Sequence, residues 1–313
     1  MQHAELPRCE NGRVKETGDV VVVGATGKLG EQVCHRLRSR GDGVRALVRS
    51  TSDPAARVRL EANGVRCFEG DIEQPETLAP VFAGAGVVVS TASAFPVDPR
   101  PDCIARVDGA GQLAVVAAAE TAGLVRVVFV SFPPASPDHP FQRAKRAVEE
   151  RLRSAQLEHV ILHPQKFMDV WFTKPLGFDP DGSVTLYGGG DAAQAWVAVA
   201  DVAAVAVQAV RDPRLANQTI PFGGPGAYTQ REVVALYEQL LGRAIATEVM
   251  PRSALESMRT AASSPTEESL AGVLLEATVP SGPEWPAFDE ILDIPRTSLA
   301  DFASSHTDQE SSR

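Results

Sequence analysis

Short runs of apolar residues alternate with longer segments of helical periodicity through the first half of the chain. The clearest run is 20–23, four consecutive valines, which is typical of a strand buried in a parallel sheet. The predicted strands are 20–23, 44–48, 65–69, 87–91, 125–131 and 159–162, and the predicted helices are 28–40, 53–63, 75–84, 104–122 and 141–156. This alternation predicts an α/β fold, a doubly wound parallel sheet of the Rossmann type.

The regular alternation ends near residue 163, and turn-forming residues follow at 174–182. Strands and helices predicted beyond them form a smaller C-terminal α+β lobe, part of which returns to the sheet. We expect this lobe to lie over the carboxyl ends of the strands, where ligands of such sheets bind. The predicted divisions are a loose N-terminal arm at 1–17, a Rossmann domain at 18–163, a C-terminal substrate lobe at 164–303 and a disordered polar tail at 304–313.

The turn after the first predicted strand carries Gly24, Gly27 and Gly30, and a predicted helix follows it. Gly24 permits the tight turn, Gly27 lets the backbone approach a pyrophosphate, and Gly30 lets the helix pack closely on the strand. The helix N-terminus would then face the phosphates. The spacing is G-x-x-G-x-x-G rather than G-x-G-x-x-G, but the flanking strand and helix supply the context that a dinucleotide site requires.

The second predicted strand indicates which dinucleotide binds. A site for NAD usually has an acid at the end of this strand to bind the ribose 2′-hydroxyl, yet no acid lies between Asp42 and Asp53. Arg49 stands there instead, and a guanidinium grips a 2′-phosphate with charge-assisted bonds. The sequence therefore predicts NADP(H), with Lys28 as a second positive charge. The alternative is that Arg45 and Arg49 are solvated edge residues.

Composition argues against several other classes of protein. The formal net charge is −10 and there is no basic tract, so nucleic acid is not an expected partner. The N-terminus lacks an apolar signal region and no apolar run is long enough to span a membrane, so we expect a cytoplasmic protein without a membrane partner. The 4 cysteines and 6 histidines lack metal-ligand spacing, so we expect reduced thiols and no metal site.

Several separated motifs accompany the glycine turn. They are 44–49, 70–72, 117–123 leading into 127–131, the lysine-bearing segment 144–150, and 196–203 with 222–225 in the second half. On these motifs, residues 19–250 resemble the NmrA-like family of atypical short-chain dehydrogenase/reductases. The resemblance implies a Rossmann fold that binds a nicotinamide dinucleotide.

The resemblance also implies where that cofactor lies. The acid after the third strand, Asp71, would approach the adenine, although it is equally suited to be the N-cap of the segment that follows. Small residues after the fourth strand would line the cofactor. The implied cofactor-binding residues are Gly24, Thr26, Gly27, Lys28, Leu29, Gly30, Arg49, Asp71, Ile72, Ser90, Thr91, Ala92, Ser131 and Lys145.

The catalytic motif departs from the pattern of the larger family. Short-chain dehydrogenases use a tyrosine four residues before a lysine as the general acid/base. Here the lysine is Lys145, but Phe141 occupies the tyrosine position, and no Tyr-x-x-x-Lys exists anywhere in the chain. Ser131 ends the fifth strand, and 132–134, Phe-Pro-Pro, stands where a catalytic hydroxyl is expected. A carbonyl acceptor therefore loses its usual proton donor.

Two alternatives follow from this loss. In the first, another residue donates the proton, with Lys145, His163 and Lys166 as candidates. His163 stands where the family commonly has an arginine beside the nicotinamide, and it can equally be a histidine that only shapes the turn; Lys166 can be a plain solvated lysine. In the second, the acceptor is a quinone or conjugated system that spreads the charge left by hydride addition, and solvent protonates it afterwards. The second alternative fits the residues better.

The sequence thus favours an NADPH-dependent oxidoreductase, with Lys145 and His163 as candidate catalytic residues. Its substrate would be a small, apolar, conjugated or quinone-like molecule bound in the cleft between the Rossmann domain and the C-terminal lobe. The alternative is a non-catalytic NADP(H)-binding redox sensor that controls a partner protein, because both the tyrosine and the serine of the catalytic positions are lost. A sugar-nucleotide epimerase or dehydratase is disfavoured because it depends on the missing tyrosine.

Overall fold

The computed structural model describes residues 18–282, 290–294 and 296–310, so the predicted arm at 1–17 lies outside the described residues. Nine strands are present in these ranges: β1 Asp19–Val23, β2 Val44–Val48, β3 Arg66–Glu69, β4 Ala85–Ser90, β5 Arg126–Val130, β6 Glu158–Pro164, β7 Ser183–Tyr187, β8 Gln218–Phe222 and β9 Ala246–Met250. Seven of them form one sheet in the order β3-β2-β1-β4-β5-β6-β8, and every neighbouring pair is parallel. The predicted doubly wound parallel sheet is confirmed.

Helices cover both faces of this sheet. On one face, α1 (Lys28–Ser39) and α7 (Val199–Arg211) pack on alternate strand residues, including Val20 and Val22. On the other face, α4 (Gln112–Thr121) and α5 (Pro140–Arg153) pack on the intervening residues, including Val21 and Val23. Because both faces are covered, the strands consist of nearly continuous apolar residues rather than alternating ones.

Two predicted helices differ from expectation. The segment predicted as a helix at 75–84 is a 3₁₀ turn, Pro75–Thr77, followed by the short α3, Ala79–Phe82. Pro75 and Pro80 lack the N–H groups that a continuous helix would need, which explains the break. The helix predicted at 104–122 begins as a π-helical segment, Ile104–Gly111, before α4. Such segments are frequent at functional sites.

The second half of the chain forms the smaller lobe. As predicted, part of it also returns to the large sheet, where β8 is the end strand and α7 packs on one face. In the lobe, β7 and β9 form a separate two-stranded parallel sheet. The remaining helices are α2 Pro54–Ala62, α6 Met168–Trp171, α8 Gln230–Leu241, α9 Arg252–Ala261, α10 Pro265–Glu276 and α11 Leu299–Glu310. An aromatic core that includes Trp171, Tyr187 and Trp196 holds the lobe together.

The disordered tail predicted at 304–313 is wrong for residues 304–310, which continue α11. The Ser298 hydroxyl caps this helix by accepting a hydrogen bond from the N–H of Asp301 at 3.1 Å. Leu299 and Phe302 are buried in the lobe core. The polar composition of 304–310 did not predict a helix, because the two apolar residues that anchor its first turn precede this segment. Among the described residues, no helix is long and apolar enough to cross a membrane.

Candidate active site

The three glycines between β1 and α1 have different structural roles. Gly24 has φ +83°, and a Cβ there would lie 2.6 Å from the amide nitrogen of Ala92, just beyond β4. A Cβ on Gly30 would overlap the carbonyl oxygen of Gly24. Gly27 is different, because its backbone is extended and a Cβ would meet nothing closer than the Gly24 oxygen at 3.4 Å. The fold therefore requires Gly24 and Gly30, whereas the space in front of Gly27 is open.

The open space at Gly27 adjoins the N-terminus of α1. Gly27 is the N-cap of this helix and no side chain caps it. The first-turn N–H groups therefore have no side-chain acceptor, and the positive end of the helix dipole favours an anion there. Among the described residues, the exposed Lys28 side chain makes only a long hydrogen bond, 3.4 Å, to the carbonyl oxygen of Asp169. This arrangement fits the diphosphate of a dinucleotide.

Two arginines of the second strand segment have different environments. Arg49 directly follows β2 and is exposed, and its guanidinium forms no hydrogen bond or ion pair with any described residue. It lies near Asp98, whose pKa is held below its ordinary value chiefly by a hydrogen bond from Arg100, with a contribution from the Arg49 charge. Arg45, in contrast, donates to Asp19 at 2.7 Å and to the carbonyl oxygen of Ala83 at 2.7 Å. The alternative of a solvated edge residue is wrong for Arg45.

The residues predicted to line the cofactor after β3 and β4 lie at the same edge of the sheet. Asp71 acts as a turn cap, since its Oδ1 accepts the N–H of Glu73 at 3.0 Å. Ser90 is buried and donates to Gln112 Oε1 at 2.7 Å, and the Gln112 amide in turn donates to the carbonyl oxygen of Ala92 at 2.7 Å. Ile72 is a core residue that packs near Gly111. The roles of these residues and of Thr91 towards a cofactor stay predictions.

Lys145 is buried on α5, and its ammonium lies near one carboxylate, two rings and the carbonyl oxygen of Val130, to which it donates at 3.4 Å. Its Nζ lies 3.5 Å from Oδ1 of Asp108, which belongs to the π-helical segment and is fully buried. The rings of Phe129 and Phe141 have centroids 5.0 and 5.4 Å from Nζ. Desolvation lowers the pKa of Lys145, and the charge of Asp108 opposes this shift. Residue type and spacing do not signal this lowering of the pKa, which depends on burial.

Ser131 and His163 converge on a buried carboxylate that the sequence analysis missed, Glu149 of α5. The Ser131 hydroxyl donates to Oε1 of Glu149 at 2.6 Å, and His163 Nε2 lies 2.8 Å from the same oxygen. Arg146 and Arg153 pair with this carboxylate at 2.9 and 3.0 Å. Burial raises the pKa of Glu149, but the hydrogen bonds from His163 and Ser131 outweigh it, so the pKa lies below its ordinary value.

In this network, two residues predicted to act at the site, Ser131 and His163, are bonded to other side chains. Ser131 is held by Glu149 and by Arg146, whose Nη2 lies 3.2 Å from the hydroxyl. His163 Nε2 faces Glu149, while its Nδ1 forms no hydrogen bond with a described residue. Glu149 follows Lys145 by four residues and so lies on the same helix face, a spacing that could have revealed it. Asp108 had no comparable signal, because it contacts Lys145 only through the tertiary fold.

Phe141, at the position of the missing tyrosine, belongs to an aromatic patch formed by Phe95, Phe132 and Phe141. The ring centroids of Phe95 and Phe141 are 4.7 Å apart, and those of Phe132 and Phe141 are 5.2 Å apart. His139 stacks on Phe132 at 6.1 Å, and its Nε2 pairs with Glu276 of α10 at 2.9 Å. The patch therefore lies beside the Lys145 ammonium and reaches towards the lobe. The described residues contain no group of three potential metal ligands.

The NmrA-like family model matches residues 16–277. The chain belongs to the NmrA-like family. A chloroplast protein of Arabidopsis thaliana, named for its high chlorophyll fluorescence phenotype, is 30% identical over 245 residues, which are 77% of this chain and 60% of that protein's length. An NAD(P)H azoreductase of Xenophilus azovorans is 28% identical over 297 residues, 92% of this chain and 97% of the relative.

The fold of this NmrA-like protein also matches a solved reductase. An NADPH-dependent quinone oxidoreductase of Escherichia coli, in complex with NADPH, superposes with a TM-score of 0.74 at 18% sequence identity. The match covers 92% of this chain and 99% of the other. This chain and that solved structure therefore share one fold, the large sheet and the lobe included.

We expect alanine substitutions at Gly27 and Gly30 to separate ligand binding from stability in this NmrA-like protein. Gly30→Ala should lower the free energy of unfolding by about 1–3 kcal/mol, because its Cβ overlaps the Gly24 backbone. Gly27→Ala should leave stability nearly unchanged and weaken dinucleotide binding, because its Cβ enters the open space. Urea titration and calorimetric titration with NADPH measure the two effects. Equal loss of stability in both variants would contradict the assignment of Gly27.

Proposed function

We propose that this protein is an NADPH-dependent oxidoreductase that transfers a hydride to an apolar, conjugated or quinone-like acceptor. The observation that carries the proposal is Phe141 in the place of a proton-donating tyrosine, with its ring next to the buried Lys145 ammonium at 5.4 Å. A position that cannot donate a proton suits an acceptor that spreads the negative charge over a conjugated system. The aromatic patch offers such an acceptor a flat apolar surface, in the cleft between the Rossmann domain and the lobe.

Three parts of the chain support NADPH as the cofactor, namely the glycine turn, the N-terminus of α1 and Arg49. We propose that the glycine turn and the α1 N-terminus hold the diphosphate, and that Arg49 holds the 2′-phosphate of the adenosine ribose. The remaining proposed contacts are those of Thr26, Lys28, Leu29, Asp71, Ile72, Ser90, Thr91, Ala92, Ser131 and Lys145. The absence of an acid at the end of β2 favours NADPH over NADH. When bound, NADPH supplies the hydride.

Lys145 anchors the nicotinamide ribose in this proposal rather than donating the proton. The Asp108 carboxylate lies 3.5 Å from its Nζ and opposes the lowering of its pKa by burial, and its position is fixed between Phe129 and Phe141. A rigid cation of this kind orients hydroxyl groups and stabilises negative charge without transferring a proton. His163 is the remaining candidate donor, through the Nδ1 that Glu149 leaves free.

A non-catalytic redox sensor is the second candidate. It is supported by the engagement of Ser131 and of His163 Nε2 with Glu149, which removes two groups from direct contact with a substrate. A sensor must bind NADP⁺ and NADPH with clearly different affinities, because otherwise it cannot report the redox state. Turnover and the ratio of the two affinities therefore distinguish the candidates.

We expect NADPH oxidation with quinones and conjugated enones, and much slower oxidation with unconjugated ketones. The expected difference is about 10²- to 10⁴-fold, the usual contribution of the general acid that only the ketones need. Absorbance of NADPH over a panel of acceptors measures it, with NADH as the comparison cofactor. Tight NADPH binding without turnover of any acceptor would refute the enzyme and leave the sensor.

Arg49→Ala should weaken NADPH far more than NADH. Loss of charge-assisted contacts to the 2′-phosphate should cost about 1.5–3 kcal/mol, or roughly one to two decades in affinity. Arg40→Ala is the matched control, because it removes the same charge from an exposed side chain at the opposite end of α1. Equal weakening of both cofactors by Arg49→Ala would show that Arg49 does not bind the 2′-phosphate.

Lys145→Met should lower cofactor affinity and turnover together if Lys145 anchors the ribose. Alone, this change leaves Asp108 buried without its partner and should cost about 3–5 kcal/mol of stability. The double variant Asp108→Asn with Lys145→Met removes both charges and keeps similar volumes, so it should fold better and show the functional effect cleanly. Normal cofactor affinity with reduced turnover in the double variant would instead identify Lys145 as the proton donor.

A further inference from the structure

His163 is bonded to its surroundings through only one of its two ring nitrogens. It is the last residue but one of β6, and 7% of its side chain is exposed. Nε2 lies 2.8 Å from Oε1 of Glu149, whereas Nδ1 has no partner among the described residues. The buried side-chain atoms without a partner in these residues are Oδ1 of Asp108 and Nε of Arg146, and Nδ1 is not one of them. The free nitrogen therefore lies at the accessible edge of an otherwise buried ring.

The hydrogen bonds around the Glu149 carboxylate have fixed directions. This carboxylate pairs with Arg146 at 2.9 Å and with Arg153 at 3.0 Å. A carboxylate between two guanidinium groups stays ionised, and an ionised carboxylate only accepts hydrogen bonds, just as a guanidinium only donates them. Every polar group that contacts the Glu149 oxygens must therefore direct a proton at them.

These directions decide which nitrogen of His163 carries the proton in the neutral ring. With the proton on Nδ1, the lone pair of Nε2 would face the Glu149 oxygen at 2.8 Å, and the two would repel each other. Arg146 is a poor donor to that lone pair, because its Nη1 is 3.2 Å from Nε2 but 2.9 Å from Oε1 of Glu149. The neutral ring therefore carries its proton on Nε2 and has a lone pair on Nδ1.

The same carboxylate orients Ser131. The Ser131 hydroxyl donates to Oε1 of Glu149 at 2.6 Å and accepts a hydrogen bond from Nη2 of Arg146 at 3.2 Å. Its single proton is therefore directed at Glu149, like that of the neutral imidazole. Because both groups offer lone pairs and no proton to a ligand, a polar ligand atom that reaches them must be the hydrogen-bond donor.

Arg146 connects His163 to the aromatic patch. The central carbon of its guanidinium lies 5.3 Å from the centroid of the Phe132 ring, and its Nη1 lies 3.2 Å from Nε2 of His163. Phe132 in turn stacks on Phe141, with ring centroids 5.2 Å apart. The imidazole and the patch therefore border the same guanidinium.

We propose that Glu149 is a positioning residue that fixes His163 as a hydrogen-bond acceptor, and that Nδ1 of His163 binds a hydroxyl group on an aromatic or quinone substrate. This inference rests on the proposed function, because it takes the aromatic patch as the surface that holds the ring. It narrows the substrate class to conjugated rings that carry a hydroxyl group. It also limits His163 as a proton source, because donation from Nδ1 requires the imidazolium, in which both nitrogens carry protons.

The ligand test uses 2-naphthol and 2-methoxynaphthalene, which share a flat apolar ring system and differ in the hydroxyl proton. Neither accepts a hydride, and calorimetric titration of the full chain, with and without NADP⁺, measures their affinities. The native chain should bind 2-naphthol about three- to tenfold more tightly than the ether, the contribution of one hydrogen bond. His163→Leu should remove this preference. His159→Leu is the matched control, because it removes a histidine from the same strand four residues earlier and should leave the preference unchanged.

The protonated nitrogen of His163 can be observed directly by ¹⁵N NMR of the neutral imidazole rings, with the His163→Leu spectrum identifying the resonances. The native chain should carry the proton on Nε2. Glu149→Gln should shift the proton to Nδ1 in part of the molecules and reduce the preference for 2-naphthol, because the fixed acceptor is lost. Glu150→Gln removes a carboxylate from the neighbouring exposed position of α5 and should change neither property.

The inference would be overturned by a proton on Nδ1 in the native chain, by an unchanged tautomer in Glu149→Gln, or by the absence of any preference for 2-naphthol. The native spectrum and the native affinities need no variant, so they decide the matter even where Glu149→Gln does not fold. Neither ligand is reduced, so the results are separate from turnover. Reduction of quinones without a preference for 2-naphthol would refute this inference alone and leave the proposed function standing.

Discussion

The close backbone contact between Gly30 and Gly24 is the constraint on which the rest of the site depends. At this contact α1 approaches β1 so closely that no side chain fits, and Gly24 also meets Ala92 beyond β4. β1 and β4 are neighbours at the point where the strand order reverses, so the N-terminus of α1 opens onto the crevice between them. Arg49, Asp71, Thr91 and Ser131, four residues proposed to contact the cofactor, follow strands that end at this same edge. A wider separation of α1 from β1 would move the anion-binding end of the helix away from all of them.

Buried charge is the second organising feature. The apolar faces of the sheet favour neutral groups, yet Lys145, Asp108 and Glu149 are almost fully buried at its edge. The charges of Lys145 and Asp108 compensate each other, because the two side chains face each other. The Glu149 carboxylate accepts a hydrogen bond from Ser131 and pairs with three basic side chains, those of His163, Arg146 and Arg153. Buried polar groups that are fully bonded hold one geometry, because any other arrangement would leave a charge unpaired. Both oxygens of the Glu149 carboxylate are bonded in this way, whereas Oδ1 of Asp108 faces the Lys145 ammonium without a hydrogen bond.

The sequence was sufficient for the sheet and for the strand, glycine turn and helix at its start, because valine runs and glycine spacing are local signals that the parallel fold requires. It was insufficient wherever a side chain's environment is set by distant residues. Arg45 and Arg49 are the same residue type four positions apart, but only Arg45 meets Asp19 of the neighbouring strand. Asp108, likewise, meets Lys145 through a π-helical segment that periodicity does not reveal. The helix at 304–310 was missed because its anchoring residues, Leu299 and Phe302, precede it.

Phenylalanine in place of tyrosine removes a hydroxyl but keeps the ring. Under the proposed function, this difference determines which acceptors the site can reduce. The Phe141 ring packs with Phe95 and Phe132, so a position used for proton transfer becomes part of a binding surface. An acid at this position matters most when the product oxyanion is strongly basic, because only then does charge on oxygen limit the reaction. A conjugated oxyanion is weakly basic and needs an electrostatic partner rather than a proton. An apolar surface with a fixed cation nearby meets that requirement. An unconjugated carbonyl needs the proton, so the same residues would make its reduction slow.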